Sequence, residues 1–104
     1  MVLYILKWDV LPGKEEAYAK WVNGAMKRVL AVPGVVEFRA YRPVTGKSEV
    51  AVTYEFADLA AWAAWYTNEE CQKALEELRS YTTSIIAEIW GPSPLVPKPV
   101  RPGV

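Results

Sequence analysis

The chain contains no histidine. That absence removes the commonest general base, the commonest protein metal ligand and the imidazole ligand of haem. Cysteine occurs once, at Cys71, so no disulfide can close within the chain. A reducing cytoplasm is the expected setting. Neither charge sign is in excess: 12 Lys and Arg balance 12 Asp and Glu. A neutral chain without a basic stripe has no electrostatic pull toward nucleic acid or an anionic bilayer, so neither is expected as a partner. No apolar run is long enough for a transmembrane helix. The opening MVLYILKWDV lacks a charged segment before its apolar run and alternates like a strand, so no signal peptide is expected. The chemistry left belongs to carboxylates, Tyr, Lys, Arg and one thiol. No metal site and no cofactor is expected.

What is present suits a single domain. The chain has 104 residues, 52% of them hydrophobic, enough for a core without staples. Val2–Val10 is β-branched and aromatic and predicts a strand, ended by Pro12-Gly13. Lys14–Ala31 predicts a helix with Tyr18, Trp21, Val22, Ala25 and Val29 on its buried stripe. Gly24 lies mid-helix, either for close packing or as a weak point. After Pro33-Gly34, Val35–Arg42 and Ser48–Phe56 predict two strands of a hairpin.

Asp58 is placed to cap a second helix, with Leu59, Trp62, Ala63 and Tyr66 as its apolar stripe and Trp65 off it. A kink is expected near Asn68, with Ala74, Leu75 and Leu78 continuing the stripe. Thr82–Trp90 predicts a last strand. Residues 91–104 hold five of the eight prolines and are read as a Pro-rich extended tail behind a domain of residues 1–90.

The order β-α-β-β-α-β with right-handed crossovers gives an α+β, ferredoxin-like fold. It has a four-stranded antiparallel sheet with two helices on one face. The other face would carry Leu3, Ile5, Ile86 and Trp90 among charges. Monomers rarely expose such a patch, so a homodimer through the open sheet face is expected.

Several stretches resemble a known family. They are PGKEEAYAKWV after the first strand, VPGVVEFRAYRP, and VAVTYEFADLAAWAAWYTNEECQKAL. Over about residues 1 to 90 the chain is similar to the dimeric α/β-barrel superfamily, in its antibiotic-biosynthesis monooxygenase-like branch. The resemblance implies a dimeric α/β barrel, but the superfamily hosts many activities. In its haem-degrading members a Trp at the Trp65 position works with a His and an Asn. The matching positions here are Leu75 and about Leu6, so the resemblance argues against haem degradation. Cofactor-free oxygenation of a phenolic or anthrone-like compound is the chemistry it leaves. That reaction needs a base, hydrogen bonds and a dry pocket.

The expected ligand is small and apolar or aromatic, held between helices and sheet. Trp8, Trp21, Phe38, Tyr54, Trp62 and Trp65 are the candidate walls. Core packing alone would also account for most of these rings. Glu55 and Glu88, on the second sheet face, are the candidate general bases; a structural ion-pair network with Lys7, Asp9, Glu37 and Arg39 is the alternative. A closed core without a cavity of roughly 300 Å3 would sink the ligand reading, and an open apolar cavity with one buried carboxylate would favour it. Its rival is a non-catalytic, stress-related homodimeric module with no ligand.

Overall fold

A computed structural model describes residues 1–103. Val104, the end of the expected tail, lies outside the described residues. The elements run β1 (Val2–Val10), α1 (Glu15–Ala31), β2 (Glu37–Tyr41), β3 (Val50–Phe56), α2 (Leu59–Tyr66), α3 (Glu69–Tyr81) and β4 (Thr82–Trp90). The strands form one antiparallel sheet in the order β2-β3-β1-β4. This is the ferredoxin-like arrangement the element order implies. β2 and β3 each start two residues later than the sequence suggests, although Val36 still donates to the Glu55 carbonyl at 2.7 Å.

Register fixes what each sheet face carries, because directly paired residues point the same way. On the helix side, Phe38, Tyr54, Tyr4 and Ile89 form one row across the four strands. Ala40, Val52, Leu6 and Ala87 form the next. On the open side the rows are Glu37, Glu55, Leu3 and Trp90, then Arg39, Thr53, Ile5 and Glu88. Phe56, at the end of β3, is wholly buried at the centre of the core. β4 carries an irregularity opposite Lys7 to Asp9, where Ser84 takes a positive φ of 57°. An extra residue in one strand produces this local bend.

The second helix is two helices. Asp58 caps α2 by accepting from the Ala61 amide at 2.8 Å, and Asn68 caps α3 by accepting from the Glu70 amide at 2.9 Å. The expected kink is thus a full restart, because Asn68 supplies the acceptor that a fresh N-terminus needs.

Two sequence expectations change here. In α2 the buried residue is Trp65, while Leu59 is 57% exposed and Trp62 and Tyr66 are half-buried. The segment LAAWAAWY is apolar on every side, so its spacing carries no phase. In α1, Gly24 is exposed and a Cβ there would meet nothing within 4 Å. Close packing does not explain it; it is a weak point in an exposed helix face. Gly34, by contrast, has a φ of +128°, a conformation that only glycine takes readily.

Candidate functional site

α1 bridges over the sheet with only Ala25 and Val29 fully buried. Its Tyr18, Trp21 and Val22 stay half-buried because they roof a cavity instead of meeting the strands. The cavity has a volume of about 260 Å3. Its floor is the helix side of the sheet, and α3 closes it through Cys71, Ala74, Leu75 and Leu78. Asn23 of α1 and Ala40 of β2, both exposed, border it where it meets solvent.

The structure brings five of the six candidate wall residues to this one space: Trp8, Trp21, Phe38, Tyr54 and Trp65. Trp62 stands apart. It stacks on Tyr66, with ring centroids 4.9 Å apart and 22° between planes, and borders a second, shallower pocket with Ile89. Its Nε1 is enclosed without a partner. Leu6 and Leu75, the positions where the haem-degrading pattern has Asn and His, both line the main cavity beside Trp65.

Glu55 and Glu88 are elsewhere. Register puts them on the open face, across the sheet from the main cavity, with Glu55 paired to Leu3 and Glu37, and Glu88 to Ile5; Glu88, on the edge strand β4, also borders the second pocket with Trp62 and Tyr66. Arg39 lies on Glu37 of its own strand at 2.6 Å. Both members of that pair are more than half exposed. Among the described residues, no three His, Cys, Asp or Glu side chains gather to hold a metal ion.

The lining carries no charged side chain among the described residues; its polar groups are phenols, indoles, one thiol and one amide. Burial raises the Tyr4 phenol to about 12, helped by neighbouring Tyr66. Burial raises Tyr54 further still, with Tyr4 adding to it. Tyr18 is also raised by burial, partly offset by the hydrogen bond from Trp8. The Cys71 thiol is pushed up to about 11, by burial first and Glu70 second. Each group therefore stays protonated at neutral pH, and none is poised as a base or a nucleophile.

A charged clasp holds the roof. Trp21 Nε1 donates to Glu77 Oε1 at 2.7 Å, and Arg28 grips both oxygens of Glu77 at 2.7 and 3.1 Å. The Arg28 Nε reaches Glu70 at 3.1 Å. These hydrogen bonds, Arg28 first and Trp21 second, hold the Glu77 carboxyl below its ordinary value. Sequence reasoning missed Tyr4, Tyr18, Cys71 and Glu77 as site residues. Tyr4 had a signal: strand alternation already sets it on the face of Trp8. Glu77 had none, because its partners come from another helix.

Residues 1–77 match the family model for antibiotic biosynthesis monooxygenase, a span from β1 through most of α3. The chain belongs to the antibiotic biosynthesis monooxygenase family. No curated protein matches it in sequence. Solved structures of similar fold include a dabb family protein of Mesorhizobium loti, at 16% identity with a TM-score of 0.78, covering 88% of this chain and 96% of that one. A putative antibiotic biosynthesis monooxygenase from Nitrosomonas europaea gives 14%, 0.70, 88% and 97% on the same measures. A dimeric ferredoxin-like protein of unknown function from Thermobifida fusca gives 13%, 0.72, 86% and 88%. At these identities the likeness shows the fold of this monooxygenase-family chain and nothing finer.

Proposed function

We propose that the chain binds a small, neutral, apolar ring compound in the cavity between α1, α3 and the sheet. The observation that carries this reading is the lining itself: five aromatic walls from five elements converge on one space, and no charged side chain among the described residues lines it. At about 260 Å3 the space lies near the lower end of small-molecule pockets. Family membership suggests cofactor-free oxygenation as the reaction. The cavity supplies one of its requirements, hydrogen-bond donors, among apolar walls. It supplies no carboxylate base. Turnover in this space would thus fall to substrates that activate oxygen without a protein base. Glu55 could act as a base only on a molecule held at the open face, and Glu88 only there or in the second pocket that it borders with Trp62.

The active form in this reading is a homodimer in the cytoplasm, joined through the open sheet face. Ile86 and Trp90 stand 45% and 52% exposed there, and the Thermobifida fusca relative is described as dimeric. Light scattering at micromolar concentration should give twice the chain mass; a monomer would defeat the pairing.

The ligand reading is tested with an Ala40→Trp variant, which plugs the exposed mouth. Tryptophan fluorescence should report binding of neutral bicyclic aromatics to the wild type and its loss in the variant. Oxygen uptake with hydroxylated polycyclic aromatics then separates an oxygenase from a binding protein. Failure of every neutral aromatic to bind would leave the non-catalytic module as the reading.

A further inference from the structure

The two central strands place Tyr4 directly opposite Tyr54, with ring centroids 6.0 Å apart. Only 5% of Tyr4 and 8% of Tyr54 is exposed. A phenol buried this deeply ordinarily finds a hydrogen-bond partner. Within the protein neither hydroxyl has one, and the sole fully enclosed side-chain polar atom without a partner, among the described residues, is Trp62 Nε1. The two hydroxyl oxygens therefore border free space. Both residues line the main cavity, and Tyr4 also touches the shallower pocket beside it.

Tyr18 adds a third phenol from the roof. Its oxygen accepts from Trp8 Nε1 at 3.1 Å, which leaves its own proton unspent. The surrounding walls are otherwise apolar. The cavity is thus greasy around its circumference and offers phenolic O–H donors on the sheet side.

We infer that Tyr54 and Tyr4 form a donor pair that selects, among neutral apolar ligands, those carrying a carbonyl-type acceptor oxygen. This inference rests on the cavity reading above and specifies its ligand. The donors fit an acceptor because burial, and for Tyr54 the neighbouring Tyr4, keeps both phenols protonated. A carboxylate ligand is disfavoured, because no lining side chain supplies a positive charge and the anion would lose its water. A hydrocarbon of the same shape fills the walls but leaves the two donors unpaired.

The test uses the full-length protein and three probes of one shape: 2-acetylnaphthalene, 2-ethylnaphthalene and 2-naphthoate. Binding is followed by tryptophan fluorescence. The ketone should bind roughly tenfold more tightly than the hydrocarbon, as one or two net hydrogen bonds give. The carboxylate should bind most weakly. In the Tyr4→Phe/Tyr54→Phe double variant the ketone should lose its advantage over the hydrocarbon. Equal binding of ketone and hydrocarbon to the wild type overturns the donor pair and leaves the cavity reading standing. Failure of all three to bind removes the cavity reading and this inference with it.

Thermal melting without ligand gives a second check. Hydroxyls with no internal partner add little to the fold, so the double variant should melt within roughly 2 °C of the wild type. A substantially larger drop would mean that the hydroxyls are already engaged inside the protein, which also overturns the inference.

Discussion

The indole N–H of Trp65 donates to the carbonyl oxygen of Val29 at 2.9 Å. This one bond ties α2 to the last turn of α1, and Trp65 also meets Phe56 and Tyr54 at ring-centroid distances of 5.2 and 4.9 Å. Trp65 is thus a structural anchor as well as a cavity wall. Trp65→Phe removes the donor, leaves the Val29 carbonyl with only the 3.3 Å bond from the Val32 amide, and opens a void. It should destabilise the fold by about 2–4 kcal/mol, read from urea unfolding at neutral pH. A change near zero would mean that the indole is not anchored to Val29.

The clasp between the helices predicts an acid-side effect. Hydrogen bonds from Arg28 and Trp21 depress the Glu77 carboxyl in the folded state. A depressed carboxylate contributes its stability above the unfolded value, near about 4.3, and loses it as pH falls through the folded value. Glu77→Gln should therefore cost about 1 kcal/mol at pH 7, the pair being partly exposed. The cost should shrink below about pH 4. Unfolding midpoints at pH 7 and pH 3 provide the comparison; an equal cost at both would remove the charge from the explanation.

The alkaline side has the opposite sign. Cys71 and Tyr4 are raised to about 11 and about 12, and Tyr54 is raised as well. A raised acid is protonated in the folded state while the unfolded chain already ionises, so its stability is present at low pH and lost as pH rises. Stability should decline from about pH 8.5, the ordinary thiol value, upward. Cys71→Ala should flatten the slope between there and about pH 11, whatever it does to the absolute value. An unchanged slope in denaturant titrations across that range would refute the assignment.

Gly24 offers a gain. Its position is helical and exposed, and a methyl group meets nothing within 4 Å. Gly24→Ala should stabilise the protein by about 0.5–1 kcal/mol, seen as a higher melting temperature. No gain would imply that the flexibility of α1 is itself balanced elsewhere.

How much of this was readable in the chain depends on whether a segment had contrast. β1, β3 and β4 are extended runs whose faces follow from period two, and the open-face set read from the sequence is the set the register assigns. α2 has no polar side, and there the phase came out wrong by about one residue, with Trp65 inward and Leu59 outward. The cavity walls were legible as aromatic residues on inward faces. Its polar donors and its clasp were not, because a free hydroxyl and a bond between separate helices leave no mark in local spacing. The carboxylates stood out in the sequence for their charge, yet the strand period that made them visible also carries them away from the cavity.

The junction between α3 and β4 has a consequence for how this chain can change. Tyr81 ends the helix and Thr82 begins the strand with no residue between, and the Thr82 hydroxyl fastens the corner to the Leu78 carbonyl at 2.7 Å. With no slack at that corner, one inserted residue would rotate α3 by about 100° against the strand or slip β4 by one pairing step. Either shift would turn Cys71 and Ala74 out of the cavity or Ile86 and Trp90 to the other side of the sheet. Length variation should therefore be tolerated in the loop between β2 and β3 and refused at this corner.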